Sequence, residues 1–206
     1  MRPRPSAGLV LALALGLGAC GKPAALEGVA EGDQVARPEW RVGDRWVFRR
    51  TIVGGITSVV TYQVTAATAD GYTLRLGGLV PEMTETWTPE LHLRAQQVAG
   101  RAATLFEPAA MFFAWPLRLG KTWSQTFAFR DGDQVGQYVN EWRVGPVVEW
   151  PLVPAGSFYA VRIQRRGAGG QLLDTYWYTP RVRYWVRHES HAGGYADDLV
   201  EAPGGP

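Results

Sequence analysis

The chain has 206 residues, 46% of them hydrophobic and 19% charged, a balance that excludes disordered and collagen-like classes and is enough for one sizeable core. Formal net charge is +2, but Arg2 and Arg4 sit in an N-terminal leader pattern, and without them the 21 Lys+Arg fall to 19, equal to the 19 Asp+Glu. A neutral mature chain lacks the excess of cations that draws a protein onto DNA or RNA by counterion release, so no nucleic-acid partner is expected.

Residues 1–19 read as a signal peptide. Arg2 and Arg4 form a basic start, and the apolar run from Gly8 to Gly18 is too short to span a bilayer. Leu17-Gly18-Ala19-Cys20 follows and resembles the bacterial lipobox, which implies cleavage before Cys20 and acylation of its thiol. Cys20 is the only cysteine, so an intramolecular disulfide is impossible, and a free exposed thiol suits an oxidising compartment poorly. One fatty chain holds a membrane only marginally, whereas two or three anchor stably. The expected partner is therefore the membrane, reached through N-terminal acyl chains. By resemblance to the sorting rule of Gram-negative lipoproteins, Gly21 after the acylated cysteine implies the outer membrane, facing the periplasm.

Residues 20–38 are small, polar and punctuated by proline, and read as a lipidated flexible tether with an end-to-end distance of about 20–25 Å. From Trp40 the pattern has period two with turn residues between runs, which predicts an all-β domain over 39–191. Trp46, Phe48, Arg50 and Ile52 share one strand face, Gly54-Gly55 turns the chain, and Val60, Tyr62 and Val64 return. Asp70-Gly71 leads into Tyr72, Leu74 and Leu76, and Leu91 and Leu93 continue the alternation. Trp123, Gln125, Phe127 and Phe129 alternate up to Asp131-Gly132, followed by Tyr138, Asn140, Trp142 and Val144. Val153-Pro154-Ala155-Gly156 is a turn ahead of Tyr159, Val161 and Ile163. Tyr176, Tyr178, Val182, Tyr184 and Val186 end the pattern, and 192–206 reads as a Gly/Pro-rich tail. The expectation is a curved antiparallel sheet or barrel-like meander of about nine or ten strands.

A weak internal repeat supports a duplicated meander of four or five strands per half. Arg41-Val42-Gly43-Asp44-Arg45-Trp46 matches Arg118-Leu119-Gly120-Lys121-Thr122-Trp123, and Trp87-Thr88-Pro89 with Leu91 matches Tyr178-Thr179-Pro180 with Val182. The lipobox, the stretch Pro116 to Trp123, the turn Val153 to Phe158 and Trp177 to Pro180 together resemble the β-rich envelope domains related to bacterial lipoprotein carriers and acceptors, and uncharacterised lipoprotein families of similar layout. The resemblance covers most of Trp40 to Glu189. It implies a curved sheet around an apolar cavity and carries over no catalytic residue.

No nucleophile elbow, P-loop or dinucleotide fingerprint is present, and no catalytic residue, cofactor or metal is expected. His188 and His191 are three apart, which on a strand places them on opposite faces, and both are read as exposed polar residues at a strand end. Asp131-Gly132-Asp133 reads as hairpin chemistry and not as a calcium loop. Glu141, Glu149, Asp131 and Asp133 are candidate acid/base carboxylates only if the fold brings a pair together. Arg162, Arg165 and Arg166 read as a solvated edge. Most of the nine tryptophans are expected in the core.

The segment Leu105 to Leu117 holds the candidate ligand-binding residues Met111, Phe112, Phe113 and Trp115, too apolar for an ordinary loop and suited to acyl chains or a hydrophobic peptide. The alternative is a crossover that plugs one end of the sheet. Three functions follow. A binding module for a hydrophobic ligand or an envelope protein segment requires a cavity, a scaffold requires a solid core with an apolar surface patch, and a hydrolase requires a cleft with converging carboxylate, His or Ser groups.

Overall fold

The computed structural model describes residues 34–78 and 81–204. The leader, Cys20 and the tether up to Asp33 lie outside them. Within them the strands are β1 (Arg45–Ile52), β2 (Thr57–Thr68), β3 (Gly71–Gly77), β4 (Met83–Trp87), β5 (Leu93–Val98), β6 (Thr104–Ala110), β7 (Thr122–Asp131), β8 (Gln134–Glu149), β9 (Leu152–Val153), β10 (Gly156–Ser157), β11 (Ala160–Gly167), β12 (Leu172–Thr179), β13 (Tyr184–Ser190) and β14 (Tyr195–Glu201). Twelve of them close an antiparallel barrel in the order β1-β14-β13-β12-β11-β8-β7-β6-β5-β4-β3-β2, and β9 and β10 form a separate two-stranded ribbon.

The expectation of nine or ten strands was therefore too low, and two of the missed strands have a clear physical reason. β6 carries Pro108, which cannot donate to a ladder and breaks the alternation. β14 lies in the segment read as a tail. Its inward residue Asp197 is fully buried, so no apolar alternation announces a strand that closes the barrel against β1, with Phe48 opposite Leu199 and Arg50 opposite Asp197. The domain also begins earlier than residue 39. Val35, read as tether, is buried and exchanges backbone hydrogen bonds with Leu117 at 2.9 and 3.0 Å.

The two matched segments occupy equivalent turns. Asp44 N–H donates to the Arg41 carbonyl ahead of β1, as Lys121 N–H does to Arg118 ahead of β7. Val64 N–H donates to Asp44, as Val144 N–H does to Lys121. Leu91 and Arg183 both take positive φ, at 62° and 61°, in the β4–β5 and β12–β13 turns. Six barrel strands follow each Gly-turn, so the repeat unit is longer than the four or five strands expected.

The barrel has two unlike ends. At the end where β1 starts, long connections cross the opening: the N-terminal strap with Val35 and Trp40, the β6–β7 crossover with Phe113 and Leu117, and the ribbon with Phe158, all buried. Trp40 lies within 6 Å of the rings of Trp46, Tyr72, Trp87 and Tyr184 and donates its indole N–H to the Arg183 carbonyl at 3.0 Å. Trp46 is stacked on Tyr184 at 4.6 Å and donates to the Val182 carbonyl at 2.8 Å. A buried indole tolerates this site because its one donor is satisfied. Gly71 is required where β3 starts at this end: its φ is +128°, and a Cβ there would lie 1.9 Å from the Trp87 carbonyl oxygen. At the other end, the hairpin end, the described connections are short turns, and among the described residues none crosses the interior.

The outer face carries charge, including Arg49, Arg187, Glu189 and Asp198 in ion pairs of 3.2–3.6 Å. That is the reverse of the lipid-facing pattern of a membrane-embedded barrel. Among the described residues no helix is long and apolar enough to cross a membrane.

Candidate functional site

Strand alternation aims the same face of β1, β14, β13, β12 and β11 inward, and toward the hairpin end that face becomes charged. Register then sets the partners. Arg50 lies opposite Asp197, Asp197 opposite His188, and Arg165 opposite Asp174, while Tyr176 lies opposite His188. Arg50 grips Asp197 bidentately, Nε to Oδ1 and Nη2 to Oδ2, both at 2.7 Å. His188 Nε2 meets Asp174 Oδ1 at 2.9 Å, and its Nδ1 faces Asp197 Oδ2 at 3.8 Å, an ion-pair distance beyond hydrogen bonding. Arg165 completes the ladder by donating from Nε to Asp174 Oδ2 at 2.7 Å and from Nη2 to the same oxygen. The His188 ring is stacked on Tyr176 at 4.3 Å, and the Arg50 guanidinium sits 3.9 Å from the centre of the Tyr195 ring.

Burial alone would lower the His188 pKa, but the bond to Asp174 and the Asp197 charge outweigh it and raise the imidazole above its ordinary value. Burial alone would raise Asp174 and Asp197, but His188 and the two arginines win and hold both carboxyls below the usual range. The ladder thus holds three cationic groups against two carboxylates when His188 is protonated. Replacing such a buried network with apolar side chains is often neutral or stabilising, so packing alone gives no reason for it.

Beside this ladder lies a cavity of about 440 Å³. Its polar wall includes Asn140, Arg165, Asp174, His188, Ser190 and Tyr195. Rings of Tyr62, Trp87, Phe106, Phe112, Phe127 and Trp185 form the remainder, with Glu85 and Gln96 among them. Lining residues Tyr138 and Ala192 are exposed and Leu173 is partly so, and all three belong to the hairpin end.

The structure distributes the sequence-predicted residues unequally. Phe112 lines the cavity and packs on Trp87, Trp142 and Tyr176 with ring centres 5.4–6.4 Å apart. Phe113 is 2% exposed and packs with Trp115 against Tyr178 at the closed end. Met111 is held by its backbone, its N–H donating to Gln125 Oε1 at 2.6 Å and its carbonyl accepting from Trp123 Nε1 at 3.3 Å. Cys20 lies outside the described residues.

Two readings of charged residues are corrected. His188 is buried in the barrel and not exposed at a strand end, because Asp174 and Asp197 compensate its charge. Arg165 is not part of a solvated edge: it follows Val161 and Ile163 on the inward face and pairs with Asp174, while Arg162 and Arg166 do point outward. The sequence carried two signals for this site. Arg50 shares a face with Trp46 and Phe48, and Asn140 shares one with Trp142 and Val144; a polar residue on an apolar strand face implies a polar interior partner.

The three histidines do not converge. His92 lies in the β4–β5 turn at the closed end, and His191 bonds Thr175 Oγ1 at 3.1 Å. Among the described residues no group of three or more His, Cys, Asp or Glu side chains is placed to hold a metal ion. Ser190 Oγ accepts from Gly193 N–H at 3.1 Å, and His188 Nε2 is held by Asp174 while Nδ1 lies 3.8 Å from Asp197, so the described contacts include no hydrogen bond between His188 and the Ser190 hydroxyl.

The chain matches no protein-family model and no curated protein. Two solved structures are similar. One, from Bacteroides fragilis, is described as an exported protein with a YmcC-like fold: 12% identity, 81% of this chain and 98% of that chain covered, TM-score 0.48. The other, from Parabacteroides distasonis, is described as a lipoprotein: 16% identity, 82% and 99% covered, TM-score 0.37.

Proposed function

We propose that this chain is a cell-envelope lipoprotein, anchored through acyl chains on Cys20, whose barrel is a non-catalytic binding module for an apolar ligand or partner segment entering at the hairpin end. The observation that carries the reading is the cavity of about 440 Å³, lined by aromatic and polar side chains, at an end that no described connection covers. A scaffold with a solid core would have its hairpin end filled as its closed end is. The mixed lining favours an amphipathic occupant, with its apolar part on Phe112 and its neighbours and its polar group on one of the polar side chains of the wall. The described chain enters at the closed end, opposite the cavity mouth. Hydrolase chemistry is disfavoured by the engagement of His188 and Ser190 described above.

The test is fluorescence titration of the chain beginning at Gly21 with the neutral probe N-phenyl-1-naphthylamine. Saturable one-to-one binding is expected, with Phe112→Asp weakening it by about tenfold or more. Absence of saturable binding would remove the ligand reading. The anchor is tested separately: Cys20→Ala moves the protein to the soluble envelope fraction, and unchanged membrane retention would refute lipidation.

A further inference from the structure

Four carboxylates are buried among the described residues: Asp44, Glu85, Asp174 and Asp197. Three have an arginine. Asp44 meets Arg183 at 2.7 Å, Asp197 meets Arg50 at 2.7 Å, and Asp174 meets Arg165. Glu85, 6% exposed, has no cationic side chain within 4 Å among the described residues and only neutral donors, Trp87 Nε1 at 3.1 Å and Gln96 Nε2 at 2.9 Å. It lines the cavity from β4, which stands six strands from Asp174 on β12 in either direction around the barrel and three from Arg50 on β1, so no cation of the ladder is on a neighbouring strand. A buried carboxylate without a cation is costly, and the other three sites show how this protein otherwise meets that cost. Here the missing partner can come only through the cavity, past the rings of Trp87, Phe106, Phe112 and Phe127. Aromatic faces beside a carboxylate are the surroundings that favour an ammonium group.

We infer that Glu85 is the anionic anchor for the ammonium group of an amphiphile whose apolar part lies along Trp87, Phe106, Phe112 and Phe127. This rests on the cavity-binding reading and specifies its ligand. Burial pushes the Glu85 carboxyl up, and an arriving ammonium group opposes that by supplying the opposite charge. The purely structural alternative is that Glu85 serves only to accept from Trp87 and Gln96.

The experiment compares three probes of equal chain length, decylammonium, decan-1-ol and decanoate, each below its aggregation concentration, by calorimetric titration of the chain beginning at Gly21. Decylammonium is expected to bind about tenfold tighter than decanol, and Glu85→Gln to erase that preference while leaving decanol binding in place. Glu85→Asp, which keeps the charge, retains a preference for the ammonium probe. Decanol binding without an ammonium preference, a preference that survives in Glu85→Gln, or tighter decanoate binding overturns the assignment of Glu85 and leaves the cavity reading standing. Failure of all three probes to bind overturns both. If Glu85→Gln does not fold, the wild-type ratio of the ammonium and alcohol affinities still decides.

Discussion

At the closed end of the barrel Trp46, Tyr178 and Tyr184 fill the interior, whereas four residues along the same strands, on the same inward face, stand Arg50, Asp174 and His188. One alternation rule therefore builds two environments. The aromatic end is packed across by the N-terminal strap and the β6–β7 crossover, and stability resides there. The charged end is crossed by no described segment, borders a cavity and holds ionised groups that an apolar core of equal volume would replace without loss. On the proposed reading, the hairpin end is kept for what it binds and the closed end for what it holds together.

The largest effect that would break this comparison is removal of a shared carboxylate. Asp197→Ala leaves Arg50 and His188 facing each other without their anion and is expected to lower the unfolding free energy by about 3–5 kcal/mol in urea titration. The double change Arg50→Met with Asp197→Leu removes charge together with counter-charge and should recover most of that loss. A double variant as unstable as the single one would show that the ladder stabilises the fold outright.

Adjacent phenylalanines sharpen the same contrast. Phe113→Ala, in the packed end, is expected to cost about 3–5 kcal/mol, while Phe112→Ala, whose ring already borders a void, should cost under about 2 kcal/mol. Equal losses would mean that the two ends are not energetically distinct.

A smaller effect is pH-dependent. Because His188 is raised above its unfolded value near 6.5, its stabilising contribution is complete below about pH 6.5 and is lost as pH rises through the raised folded value. Wild type should therefore exceed His188→Gln in stability by more at about pH 5.5 than at about pH 9, and a constant difference would argue against the ladder carrying that charge. Asp174 and Asp197 act in the opposite sense: their contribution is present above the unfolded carboxylate value and is lost as pH falls through their lowered folded values. The smallest effect belongs to the exposed pair Arg45–Glu201. Glu201→Gln should change stability by no more than about 1 kcal/mol in the same assay.

The strands whose inward residues are mostly apolar were legible in sequence. Trp46 and Phe48 announce β1, Val60 to Val64 announce β2, and Trp142 and Val144 announce β8. β14 was not, because Asp197 occupies the core position that alternation reserves for an apolar side chain, and its compensating Arg50 lies 147 residues away. The candidate segment Met111 to Trp115 was legible as apolar, but its division between cavity wall and packed end follows from the path of the crossover, which periodicity does not encode. The ladder and Glu85 depend on strand register, which pairs Arg165, Asp174, His188 and Asp197 across consecutive strands, while barrel closure of β1 on β14 adds Arg50.

The central claim is that the hairpin-end cavity holds a ligand, and native mass spectrometry tests it most directly. The Cys20→Ala protein would be purified without detergent from the envelope fraction of its own host. The account predicts a stoichiometric adduct that organic extraction removes and that Phe112→Asp lacks. A clean unliganded mass from the same preparation would contradict it.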